Sequence, residues 1–295
     1  MPRTTKTLLV AVLGALALSA CGADVVAHPS QSSGSTAPVA GLPSAIASSG
    51  TLRVMTDPTY APLEFIDGSA MVGSDVDLMN AIGEQLGVKV DWSRGSFDGI
   101  IPGLAAGRFD ASIAGMYISD DKYSSVSMVQ YANAFDEILV RSDYQGPELN
   151  SYAALCGKSL TIPQGSTEIP QIQAASKKCA SDGKQPIALQ QFESANNALL
   201  AVVSGRADSA LVSNLNADYV IQQLKADLKV HGKLPGTFPM GITVAKDDTE
   251  LANAISKALS ALKDSGKYQA ILDKWKIGPS AVTSFPVNPH VTFQQ

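Results

Sequence analysis

From Thr51 onward the chain alternates short apolar runs with longer amphipathic ones. The stretches "TLRVMT" (51–56) and "VKVDW" (88–92) have the length and β-branched content of strands. Between them, "DVDLMNAIGEQLG" (75–87) puts Val76, Met79, Ile82 and Leu86 near one face of a helix. "FDGIIPGLAAG" (97–107) reads as a helix with Gly107 just past its end, and "FDASIAGM" (109–116) as a strand. A second run follows the same order. "KSLTIP" (158–163), "PIALQQF" (186–192) and "ADSALVS" (207–213) are its strands, and "STEIPQIQAASKK", "SANNALLAVVSG" and "LNADYVIQQL" its helices. "AAGRFDASIAG" in the first run has a counterpart, "VVSGRADSALVS", in the second.

Strand and helix in alternation predict an α/β fold with parallel strands flanked by helices. Two runs of one grammar predict two similar lobes. Ligands of open α/β sheets sit beyond the carboxyl ends of the strands, so two facing lobes would enclose a cleft. That pattern suits a small-molecule binder or a cleft enzyme and does not choose between them.

The first twenty residues stand outside this scheme. "MPRTTKT" carries Arg3 and Lys6, and "LLVAVLGALALSA" is an apolar core too short to span a bilayer comfortably, as in a secretory signal. Its end, Leu18-Ser19-Ala20-Cys21, resembles a bacterial lipobox, which implies cleavage before Cys21 and a lipid on its sulfur. The alternative is ordinary export with a chance cysteine. Residues 21–49 are rich in Ser, Ala, Gly and Pro and nearly uncharged, as expected of a flexible tether. Removing the signal takes away two positive charges, so the net charge of −5 becomes −7. An acidic chain without basic clusters argues against nucleic acid as a partner. Cys156 and Cys179 would then lie in an oxidising compartment, where a structural disulfide is expected; two buried free thiols are the alternative. His28, His231 and His290 are far apart, with no metal-ligand spacing, and no metal or cofactor is expected.

"GSDVDLMNAIGEQLG" (73–87) resembles the signature of the family 3 solute-binding proteins, the polar amino-acid receptors of bacterial ABC importers. Gly73, Asp75, Val76, Asp77, Leu78, Ile82 and Gly83 fit it, whereas Ser74 replaces a usual large residue. "DPTYAPLEF", "SFDGIIPGLAAGRFDASIAGM", "PQGSTE", "GRADSALVS" and "AKDDTELANAISKALSALKDSGKY" stand in the family's order, so the likeness spans roughly residues 50–277. It implies a type II periplasmic-binding clamshell, with two lobes joined by two hinge strands and closing around ligand. The expected division is lobe 1 from 50–135 and 240–277, lobe 2 from 136–239, and a C-terminal tail at 278–295. Asp75 and Asp77 are read as structural acids at a helix start.

The resemblance also implies a pocket. Tyr60 and Phe97 match aromatic positions that sandwich the ligand's body, although either ring could simply fill the core. Asp57 matches an acidic position in relatives that bind basic side chains, or caps the turn before Pro58. Glu64 is a pocket acceptor. Gly115, Met116 and Tyr117 follow on lobe 1, where Gly115 lets ligand approach the backbone and Tyr117 stands where a small hydroxyl residue is usual. Lys122 replaces an arginine: a flexible point charge instead of a planar fork for a carboxylate, or else a surface lysine. On lobe 2, Gly165, Ser166 and Thr167 precede a helix, where free N–H groups favour an anion or are simply capped. Ser213 stands where the amino-acid receptors commonly place an aspartate for the ammonium group.

The expected function is therefore an extracytoplasmic, lipid-anchored, monomeric receptor of an ABC importer. It would capture a small polar amino acid or amino-acid-like solute and deliver it to permease subunits. The departures at Tyr117, Lys122 and Ser213 keep a betaine-, ectoine- or opine-like ligand as the alternative. An enzyme resembling the cyclohexadienyl dehydratases is a rival class, with Glu64 and Glu168 as the acids nearest the pocket motifs, yet no paired acid–base signature accompanies them. A sensor ectodomain would continue into a second apolar span, and none is legible.

Overall fold

The computed structural model describes residues 41–291. The expected signal, the lipidation site Cys21 and most of the tether lie outside the described residues. The last stretch assigned to the tether is a short helix, α1 (Ser44–Ser49), which buries Ile46 against the first core.

In chain order, β1 (Thr51–Thr56) leads into a small antiparallel sheet of β2 (Thr59–Tyr60), β3 (Glu64–Asp67) and β4 (Ala70–Val72). Then come α2 (Ser74–Leu86), β5 (Lys89–Arg94), α3 (Ile100–Ala105), β6 (Ala111–Ser112) and β7 (Val126–Ala134). The chain crosses at Phe135 into β8 (Asp136–Arg141), followed by β9 (Ser159–Pro163), α4 (Ile169–Ser181), β10 (Ala188–Phe192) and α5 (Ala195–Val203). Next are β11 (Ser209–Ser213), α6 (Asn214–Gln222) and β12 (Leu228–Lys233), and the chain returns through residues 234–237 to β13 (Phe238–Ala245), α7 (Thr249–Asp264) and α8 (Lys267–Lys274).

Two five-stranded sheets result, ordered β5-β1-β6-β13-β7 and β10-β9-β11-β8-β12. In each, four strands run one way and a single strand, β13 in the first sheet and β8 in the second, runs antiparallel between two of them. The sheets are thus mixed where parallel strands were expected. The fold is the type II periplasmic-binding clamshell, with a discontinuous first lobe. Each sheet is covered on both faces. In lobe 1, Leu52 and Val54 join one apolar cluster and Met55 another; in lobe 2, Leu211 and its neighbours Ala210 and Val212 divide the same way.

Three local departures from the sequence reading bear on the cleft. The run "FDASIAGM" pairs only at Ala111–Ser112, because Gly115 turns the backbone to φ +60°. The helix foreseen at 166–178 starts at Ile169, and Ser166–Glu168 form the turn ahead of it. Finally, the segment after α8 is bound along lobe 1 for as far as it is described. Val287 bridges to Val129, Gln130 N–H donates to the Pro286 carbonyl, Asn288 N–H donates to that of Met128, and Phe285 is buried.

The cystine Cys156–Cys179 ties the segment before β9 to the last turn of α4 across a sequence separation of 23. Among the described residues no helix is long and apolar enough to cross a membrane.

Candidate functional site

The lobe 1 wall starts where β1 ends. Asp57 is buried and accepts the Phe97 N–H at 3.1 Å, which joins the loop after β1 to the turn carrying the Phe97 ring. Burial pushes its carboxyl above the ordinary range, partly offset by bonds from Thr59 and Phe97. Tyr60 lies over Gly115, whose missing side chain matters: a Cβ there would come 3.0 Å from Leu63 and 3.3 Å from the Tyr60 ring. Glu64 opens β3, is 1% exposed, and has no hydrogen-bond partner for either carboxyl oxygen. Burial first, and Asp75 and Asp57 after it, hold its pKa well above the usual carboxylate value.

Asp75, in the first turn of α2, holds this wall from behind. It accepts the Gly115 N–H at 3.2 Å and the Tyr131 hydroxyl at 2.7 Å, and burial pushes it up to about 6. Asp77 instead bonds Lys274 and the Trp275 indole N–H, joining α2 to α8. Both signature acids do structural work, as the sequence implied. Gly73 adopts φ +140°, and a Cβ there would lie 1.9 Å from the Leu63 carbonyl oxygen. The close approach of β4's end to Leu63 therefore requires glycine.

The floor of the cleft is Tyr117. Its ring stacks on Phe238 of β13 at 5.0 Å, and its hydroxyl donates to Asp136 of β8 at 3.0 Å. One side chain thus touches both strands by which the chain passes between lobes. Asp136 is fully buried, its second oxygen has no partner, and burial together with nearby Glu168 holds it protonated well above the usual range.

Lobe 2 supplies the turn between β9 and α4. The Ser166 hydroxyl donates to the Pro163 carbonyl, and the Thr167 hydroxyl crosses the cleft to the Tyr117 carbonyl at 3.3 Å. Gly165 sits close against Asp98 of lobe 1, where a Cβ would come within 3.1 Å of backbone. Ser213 caps α6 by accepting the Asn216 N–H; the Tyr60 hydroxyl donates to its Oγ at 3.0 Å, and its own N–H donates to the Tyr60 oxygen at 2.9 Å. Asn216 adds a bond to the Ala61 carbonyl. The lobes therefore meet directly.

These walls enclose a cavity of about 60 Å³. Of the residues expected at the site, Asp57, Tyr60, Glu64, Phe97, Gly115, Tyr117, Ser166 and Thr167 line it. Four stand otherwise. Met116 is buried among Met55, Ile100 and Ile118; Gly165 faces Asp98; Ser213 is engaged with Tyr60. Lys122, half-buried in the turn Asp120–Ser124, is drawn to Asp121 and Glu168 while burial lowers its pKa.

Glu168 was read only as a first-turn acid or a catalytic alternative, yet it lines the cavity; burial raises it to about 7, with Lys122 pulling the other way. Its place directly after Thr167 was the available signal. Asp136 had none, since in "FDEILV" it reads as the polar start of a strand.

A two-lobed α/β protein whose facing walls close on a small, acid-lined cavity is a solute-binding protein in form. Residues 52–278 match the bacterial extracellular solute-binding proteins, family 3, and the chain belongs to that family. It is 30% identical over 283 residues to the L-arginine-binding protein of Pseudomonas aeruginosa, covering 90% of this chain and 95% of that one. With the lysine/arginine/ornithine-binding periplasmic protein of Escherichia coli it shares 30% identity over 236 residues, or 76% of this chain and 87% of the relative. Among solved structures, an ancestral arginine-binding protein bound to arginine superposes with a TM-score of 0.70 at 35% identity, covering 77% of this chain and 98% of that one. The similar proteins are named for binding amino acids.

Proposed function

We propose that this protein is the lipid-anchored extracytoplasmic receptor of an ABC importer and that its ligand is a small basic amino acid. In this reading residues 1–20 are the export signal and Cys21 carries the anchor. Lobe 1 (50–135 and 240–277) receives the solute, lobe 2 (136–239) closes over it, and the closed monomer is presented to the permease.

The observation that carries the ligand class is the charge of the cavity wall. Among the described residues lining it are three carboxylic acids, Asp57, Glu64 and Glu168, and neither a lysine nor an arginine. Carboxyls whose pKa values are raised by burial gain from a ligand that brings a positive charge. A guanidinium or ammonium group would lie between the Tyr60 and Phe97 rings, whose faces attract cations, with its charge toward Asp57 and Glu64. The names of the similar proteins, which include arginine, lysine and ornithine, point the same way.

The test is a thermal-shift screen of the purified protein, stripped of bound solute, against amino acids, opines, betaines and ectoines. The largest shifts are expected with arginine, lysine, ornithine or histidine. A shift with a betaine or an ectoine and none with basic amino acids would replace the ligand class. Turnover of prephenate or arogenate would replace the receptor reading itself.

A further inference from the structure

We propose that Glu168 is the lobe 2 acceptor for the α-ammonium group of the bound amino acid, and so the residue that makes closure depend on that group. The inference rests on the basic amino-acid reading and assigns the end of the ligand that reading leaves open.

The other polar side chains that lobe 2 brings to the cleft are already engaged. The Ser213 hydroxyl accepts from Tyr60 and from the Asn216 N–H, and it lies outside the cavity lining. Ser166 donates to Pro163 and Thr167 to Tyr117. Glu168 alone among the lobe 2 residues lining the cavity is ionisable. Of the groups near it, Lys122 is the one cation, and it lies outside the cavity lining; Asp136, fully buried and with one oxygen lacking a partner, is a second carboxyl held protonated and brings no counter-charge. The remaining titratable neighbours, Tyr60, Tyr117 and Tyr152, stay neutral because burial raises all three. Glu168 is thus the carboxyl that stands at the cavity wall, and no cation of the cavity lining is there to meet it, so its acceptor is open to one the ligand brings. The lobe 1 acids Asp57 and Glu64 form a separate set, in which Asp75 and Asp57 both raise Glu64. A ligand with a cation at each end answers both sets, and a basic amino acid has that form.

Calorimetry on the full chain, with L-arginine and its desamino analogue 5-guanidinopentanoate, decides the matter. Wild type should bind the desamino analogue about 10- to 100-fold more weakly, the range for a lost charge-assisted hydrogen bond. Glu168→Gln should weaken arginine by a similar factor and leave the analogue within about threefold, because the two losses are one interaction. If Glu168→Gln discriminates arginine from the analogue as strongly as wild type does, the ammonium is read elsewhere and the proposal is overturned. Should that variant fold poorly, wild type in two buffers of different ionisation enthalpy near pH 7 gives the same decision. Arginine should release protons that the analogue does not, and equal release would overturn the assignment. Wild type that binds none of arginine, lysine, ornithine and histidine would overturn the functional reading, and this inference with it. Arginine binding with an idle Glu168 would overturn the inference alone.

Discussion

The two walls of the cleft are built differently. On lobe 1 the acids are locked from behind: Asp75 holds Gly115 and Tyr131, Asp57 holds the Phe97 turn, and Tyr60 rests on Gly115. On lobe 2 the corresponding groups sit on one short turn and one strand end, and several of their bonds run across to lobe 1 itself, from Thr167 to Tyr117 and between Ser213 and Tyr60. In the proposed reading lobe 1 receives the solute and lobe 2 closes over it, and contacts made only in the closed state are the ones that can favour closure.

The comparison breaks most sharply at Gly73. Alanine there should cost about 3 kcal/mol or more from a positive φ and a clash with the Leu63 carbonyl. The melting temperature should fall and binding of arginine should be lost with the Glu64 wall; an unchanged melt would refute the steric account. On lobe 2, replacing both Cys156 and Cys179 by serine should remove about 3 kcal/mol of stability. The bridge lies at the far end of α4 from Glu168, so arginine affinity should stay within about threefold, checked by calorimetry on the folded fraction.

Lys122→Ala tests the lobe 1 turn that faces lobe 2. It should weaken arginine by about 2 kcal/mol, as for loss of a charged hydrogen bond, and should weaken agmatine, which lacks the carboxylate, by less. Equal losses would show that Lys122 does not read the carboxylate. Tyr60→Phe removes both bonds to Ser213, about 1–2 kcal/mol of preference for the closed form. The unliganded protein should then expand in small-angle scattering, and an unaltered radius of gyration would count against a latch.

The smallest effect expected is on pH. Glu64, Asp75, Asp136 and Glu168 all have folded-state pKa values above their unfolded ones. The folded protein therefore holds more protons between the two values, and stability should fall as pH rises through that window, the reverse of a salt-bridged carboxylate. For the ligand-free protein the melting point at pH 5 should exceed that at pH 7.5. Arginine affinity should change in the opposite sense, rising as pH passes through about 7, because the ligand displaces the Glu168 proton. A flat melting curve between these pH values would mean the buried acids are compensated.

Much of lobe 1 was legible in the sequence. Periodicity marks β1, α2 and β5, and the glycine-acid motif at 73–77 is steric and electrostatic necessity that shows up as residue identity. The lobe 2 wall was less so. Whether Ser213 meets ligand or Tyr60 depends on a contact between residues 153 positions apart, which no local pattern encodes. Glu168 was hidden by a helix start placed three residues early, for Ser166 and Thr167 look like caps until Pro170 is seen to sit in the first turn. Asp136 was out of reach for the same reason as the tail: each acquires its meaning from a strand supplied by a distant part of the chain.

That tail has a consequence for solubility. β7 is nine residues long and forms one edge of its sheet, and a bare edge of that length is a template for pairing with a second molecule. Residues 285–288 cover part of it, and the covering segment offers little new edge of its own, because Pro286 and Pro289 have no N–H to donate. This segment works as a stopper: it closes the sheet against its own kind and then offers no pattern for a neighbour to continue.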